Sequence, residues 1–137
     1  MKTEQFAYTP VRSFPGGMPF VNLQLGHKGY RTSVAGLVDS GSALNILPFD
    51  VGLELGLDWE KQEFSLEVGG SLKGIEAYAV LVKANIAEFP SVDLAFAWLG
   101  KSSSDVPVLL GQVNFFQEYN VCFYGYRRVF EIVPRSH

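Results

Sequence analysis

Val21, Leu23 and Leu25 alternate with Asn22 and Gln24, the period of two that marks a strand with one buried face. Gly26-His27-Lys28-Gly29 follows as a turn, and residues 30–38 form the returning strand. The end of that strand, Val34-Ala35-Gly36-Leu37-Val38, is apolar at every position, which predicts a central place in the sheet with both faces covered. It leads the chain into Asp39-Ser40-Gly41-Ser42-Ala43. Pro48 then fits the first position of a short helix, with Asp50 in the favourable first turn and Gly56 as the stop. Phe49 and Leu53 share one face of it.

Phe64, Leu66 and Val68 alternate with Ser65 and Glu67 before the turn Gly69-Gly70-Ser71-Leu72-Lys73-Gly74, and residues 75–86 return as a strand. This predicts a long hairpin whose tip glycines permit backbone conformations that other residues resist. Leu94, Phe96 and Trp98 alternate with Ala95 and Ala97, and Ser102-Ser103-Ser104-Asp105 reads as a loop. Val106-Pro107-Val108-Leu109-Leu110-Gly111 repeats the earlier grammar of an apolar strand ending on glycine, followed by a short helix over 112–119. A last hairpin joins 121–123 to 129–132, turning near Gly125. Residues 1–19 show no clear period and read as an arm, 20–133 as one domain and 134–137 as a tail. Strand periods dominate, so the expected class is all-β with one or two short helices.

The length of 137 residues suits a single domain that builds its core without disulfides or metals. A net charge of −3 with no Lys/Arg run argues against a nucleic-acid partner; Arg127-Arg128 reads as the solvated end of the last hairpin. Cys122 stands alone in an apolar run and reads as a buried structural thiol. Met1-Lys2-Thr3-Glu4-Gln5 lacks the apolar stretch of a secretory signal, and no apolar window of about 18 residues offers a membrane span. The expected setting is soluble and cytoplasmic, away from membranes.

Asp39 is the candidate centre of chemistry. A strand that carries a carboxylate out of an apolar run gives that carboxylate a partner or a task, because an unpaired buried charge is costly. Asp-Ser-Gly is also ordinary turn chemistry, so an Asx turn at the strand exit is the structural alternative. Hydrolysis of a peptide by carboxylates needs one group to deprotonate water and another to protonate the carbonyl oxygen. The chain holds one such motif.

Three features together resemble the retropepsin-like aspartic proteases over residues 20–132: Gly36-Leu37-Val38-Asp39-Ser40-Gly41-Ser42-Ala43, the Gly69-Gly70 hairpin, and Val108-Leu109-Leu110-Gly111 before a short helix. The resemblance implies a closed-barrel acid-protease monomer that pairs into a two-fold homodimer, with Asp39 of each subunit forming the dyad. It implies an aspartic endopeptidase that acts on extended peptide segments and uses no cofactor. Asp39, Ser40 and Gly41 would be the catalytic group, with the Ser40 hydroxyl gripping the partner's backbone and Gly41 allowing close approach. Ser42 and Ala43 would line the substrate cleft, the Ser42 hydroxyl bonding the Asp39 carboxylate. Val68, Gly69, Gly70 and Ser71 would form the flap over the peptide, and Leu109-Leu110-Gly111 a packing strand behind the loop. The viral members commonly carry an acidic residue and an Arg where this chain has Ala43 and Gln112, so both halves of a possible ion pair are absent together.

The alternative function is a catalytically inactive dimerisation or peptide-binding module of the same fold. A third is a lipocalin-like barrel for a small ligand. Asp50, Asp58, Asp93 and Asp105 read as caps or solvated groups. His27 lies in a Gly-rich turn and His137 ends the sequence, so no cluster at metal-ligand spacing emerges and neither Ser40 nor Ser42 has a plausible His base. Trp59 and Trp98 read as core or dimer surface, and the 69–74 turn lacks the spacing of a phosphate loop.

Overall fold

The structure, a computed structural model, describes residues 2–100 and 105–136. Ser102, Ser103 and Ser104 of the expected loop, and His137, lie outside the described residues. Strand β4 (Phe20–His27) pairs antiparallel with β5 (Tyr30–Val38), in register from Phe20 opposite Leu37 to His27 opposite Tyr30. Their turn places Lys28 at φ 46° and Gly29 at φ 88°, the paired left-handed conformations whose twist suits a two-residue hairpin.

From β5 the sheet continues through β10 (Val108–Leu110, parallel), β6 (Asn45–Leu47, antiparallel), β9 (Val92–Leu99, parallel) and β8 (Ala77–Asn85, antiparallel). Strand β8 pairs back onto β4 through Gln24, Leu25 and Gly26, closing a barrel of six strands. Closure leaves these strands with few open edges. Leu23, Leu25, Val82, Leu94, Phe96 and Trp98 are among the buried side chains that fill the core, each contributing about 1.5–3 kcal/mol by its removal from water. The interior is packed, which disfavours the lipocalin-like reading.

Helix α1 (Phe49–Glu54) covers the barrel beside Trp98. The Phe49 ring stacks on Trp98 at 5.7 Å, and the Trp98 indole N–H donates to the Phe49 carbonyl at 3.1 Å. Gly52 faces that indole so closely that a Cβ there would overlap the ring. Phe49 and Leu53 do not share a buried face: Leu53 is 48% exposed. The helix presses its Gly52 edge to the barrel, and this short element turns Leu53 outward.

Residues 1–19 are more than an arm. Strand β1 (Glu4–Ala7) joins β12 (Val129–Pro134) and β11 (Tyr119–Tyr124) in a three-stranded sheet, and β2 (Thr9–Val11) pairs with β3 (Phe14–Met18). Phe6 stacks on Phe130 at 5.4 Å, anchoring β1 to the core. Cys122 is exposed, which corrects the expectation of a buried thiol. Strand β11 is an edge strand, and Cys122 shares with Asn120 the alternate positions turned away from the core. The second helix, α2 (Phe115–Glu118), is shorter than the expected 112–119. No helix among the described residues is long and apolar enough to cross a membrane.

Candidate active site

Two neighbouring parallel strands, β5 and β10, end at the same level of the barrel, and the loops leaving them bond to each other. The Asp39 N–H donates to the Leu110 carbonyl at 3.0 Å, while the Val38 N–H donates to that of Pro19 at 3.0 Å. On the other side, the N–H groups of Gln112 and Val113 donate to the Ser42 and Ala43 carbonyls at 2.9 and 2.8 Å. Gly111 is required at this crossing. A Cβ on it would lie 2.5 Å from the carbonyl oxygens of both Ser42 and Leu44, well inside contact distance.

Within the loop, the Gly41 N–H donates to Asp39 Oδ1 at 2.9 Å and the Ser42 N–H to the Asp39 carbonyl at 3.1 Å. Asp39 therefore forms an Asx turn, the arrangement its local sequence favours, and stays half-buried at the loop's inner side. The Ser42 hydroxyl does not serve the carboxylate: it donates to the Leu44 carbonyl at 2.7 Å. A backbone N–H takes the place expected for that hydroxyl. Ser40 is exposed, and its carbonyl accepts from the Gln112 side-chain amide at 2.8 Å. Gln112 thus clamps the loop as a neutral donor, where a cation would need a compensating charge.

Sequence reasoning missed the support beneath this loop. Asn45 is fully buried; its Oδ1 accepts from the Gly111 N–H at 2.8 Å, and its amide donates to the Ala95 carbonyl at 2.9 Å and to Asn114 Oδ1 at 3.1 Å. Asn114 accepts in turn from the Ala95 N–H and donates to the Asp93 carbonyl. The signal was present: an Asn inside Leu44-Asn45-Ile46-Leu47 is buried by its neighbours and must find partners there.

The roof comes from the hairpin. Strand β7 (Ser65–Leu66) pairs with β8 only through Ser65–Tyr78 and Leu66–Ala77, so the hairpin is laddered at its base and much shorter than its alternation suggested. Beyond it the chain makes a single tight turn over Gly70–Leu72, with Gly70 at φ 63° and Gly74 at φ 91°. Val68, Leu72 and Ile75 fold onto a second small core of Ile46, Ala77, Ala97 and Leu99. Their contact holds the hairpin over the Asp39 loop.

Between roof and loop lies a solvent-open pocket of about 390 Å³. Asp39, Gly41, Ser42 and Ala43 line one side, and Val68, Gly69, Gly70 and Ser71 the other. Leu44, Ile46, Leu72 and Leu109 supply apolar walls, and Glu67 also reaches the pocket. Ser40 is outside it. The arrangement sets the Asp39 carboxylate on one wall of an open cleft, with the glycine backbone of the hairpin and Glu67 facing it.

The backbone superposes on the crystal structure of a retropepsin-like aspartic protease from Rickettsia conorii with a TM-score of 0.65 at 13% identity, over 96% of this chain and 91% of that one. The chain has the retropepsin-like fold. EIAV protease complexed with the inhibitor HBY-793 matches with a TM-score of 0.54 at 17% identity, over 73% of this chain and 86% of that one. No family model and no curated protein matches the sequence. In the retropepsin-like barrel described here, Asp39 and residues 41–43 face residues 68–71, far apart in the chain, across one pocket.

Proposed function

We propose that this chain is an aspartic endopeptidase that works as a two-fold homodimer, with one active site built from the Asp39 of each subunit. The observation that carries the reading is the pocket in which the Asp39 loop and the Gly69-Gly70 hairpin face each other. A single carboxylate is half of the required acid–base pair, and an isologous dimer supplies the other half as its own copy. Two carboxylates held close together do not readily both ionise, so they share one proton. The ionised partner takes a proton from water, whose oxygen attacks the peptide carbonyl carbon; the protonated partner gives its proton to the carbonyl oxygen. Collapse of that intermediate breaks the C–N bond, with a proton delivered to the departing amine.

Several features support this division of labour. The Gln112 clamp and the Gly41 N–H fix the loop and its carboxylate before any substrate arrives, which reduces reorganisation during reaction. Ser40 is exposed in the single chain, as a residue that reaches across a two-fold axis must be. The hairpin would close on an extended peptide, exclude water and offer main-chain hydrogen bonds to an added strand. Peptide cleavage by wild type and Asp39→Asn, both checked for folding by circular dichroism, tests the reading. The variant is expected to lose at least about 100-fold in kcat; unchanged cleavage, or none from a folded wild-type dimer on a diverse peptide library, overturns it, the latter in favour of a binding module.

A further inference from the structure

Charge is unevenly placed around the pocket. Asp39 and Glu67 line it from opposite sides, and no Lys, Arg or His among the described residues lines it. In the proposed chemistry Asp39 is committed to water. Glu67 is not: it is exposed on the roof strand's extension and makes no ion pair among the described residues. Lys73 and Glu76 line a neighbouring hollow together with Glu67; their opposite charges offset each other, so among the described residues Glu67 leaves the roof acidic. Beside Glu67 the wall is apolar, formed by Val68, Leu72 and Ile46. A peptide lying in this cleft therefore meets greasy wall and anionic roof together, a surface suited to a Lys or Arg side chain whose stem packs while its head stays polar.

We propose that Glu67 selects peptides carrying a Lys or Arg next to an apolar residue near the cleaved bond. This rests on the reading of the pocket as a peptide cleft and names its substrate class. A two-fold dimer repeats Glu67 on both sides of the scissile bond, so basic residues are favoured on either flank. Acidic peptides are disfavoured by the same field.

Binding tests the idea independently of turnover. Fluorescence anisotropy compares an extended apolar peptide holding one central Lys with a twin holding Gln in its place, each against wild type at position 67, Glu67→Gln and Glu67→Lys, all carrying Asp39→Asn so that no peptide is cleaved during the measurement. Wild type is expected to bind the Lys peptide about 5-fold more tightly, the upper end for an exposed ion pair. Glu67→Gln should abolish that preference and Glu67→Lys reverse it. In wild type the preference should shrink as salt rises towards 1 M, where screening acts within about 3 Å. Equal binding of the two peptides, no binding of either, or a preference that survives Glu67→Gln overturns the inference. Cleavage without a basic preference defeats this inference alone; a basic preference without cleavage defeats only the enzymatic reading.

Discussion

Asn45 and Tyr119 show how differently a buried polar group can be settled. Asn45 spends its oxygen and its amide on Gly111, Ala95 and Asn114, so removing it would strand the Gly111 N–H and the Ala95 carbonyl on the two flanks of β6. The Tyr119 hydroxyl is buried with no hydrogen-bond partner among the described residues, and burial, followed by the Glu118 carboxylate, pushes its pKa up to about 12. Because burial penalises the phenolate, the folded-state pKa lies above the unfolded value of 10.0, so this group costs no stability through ionisation below pH 10.0 and withdraws stability as pH climbs towards about 12. Tyr119→Phe removes that titration and the orphaned hydroxyl together. Thermal melts should show the variant more stable at neutral pH by about 1 kcal/mol, with a shallower decline in alkali; a lower melting temperature with an unchanged alkaline slope would contradict this.

At the level of elements, the site depends on two loops that leave adjacent strands and grip one another. Gly111→Ala forces a Cβ against the Ser42 and Leu44 carbonyls and should cost about 1–3 kcal/mol, the usual penalty of overpacking. Chemical denaturation checks this, with the exposed Leu53→Ala as the comparison expected to change little; a neutral Gly111→Ala would mean the two loops are not locked. Period-two patterning made β4 and β9 legible, the apolar run ahead of Asp39 marked β5, and the glycine turn before it marked β8, each of these strands being eight or nine residues long. Strands β1, β2 and β3 were not legible, because three to five residues carry too little alternation to stand out. Cys122 misled for a related reason: an apolar run on an edge strand has one face covered, and only the topology says which strands lie at an edge. The glycine hairpin was visible as a turn, yet its length was overread, because Phe64 looks like a core position and is 71% exposed. The Asn45–Asn114 support was invisible as a pair, being 69 residues apart in sequence.

For the whole molecule, the barrel, the terminal sheet and the hairpin leave the Asp39 loop under a roof on an open pocket, and the proposed reaction draws its second acid from another copy of the chain. The proposed reaction therefore stands or falls with the pairing of Asp39 and its copy, which a subunit-mixing titration reads out. Wild type at fixed concentration is equilibrated with increasing Asp39→Asn chain, and peptide cleavage is followed. If each active site needs Asp39 from both subunits, mixed dimers are inactive and activity falls steeply as the variant sequesters wild-type chains. Cleavage that stays constant whatever the excess of Asp39→Asn would show that one chain suffices and that no shared dyad exists.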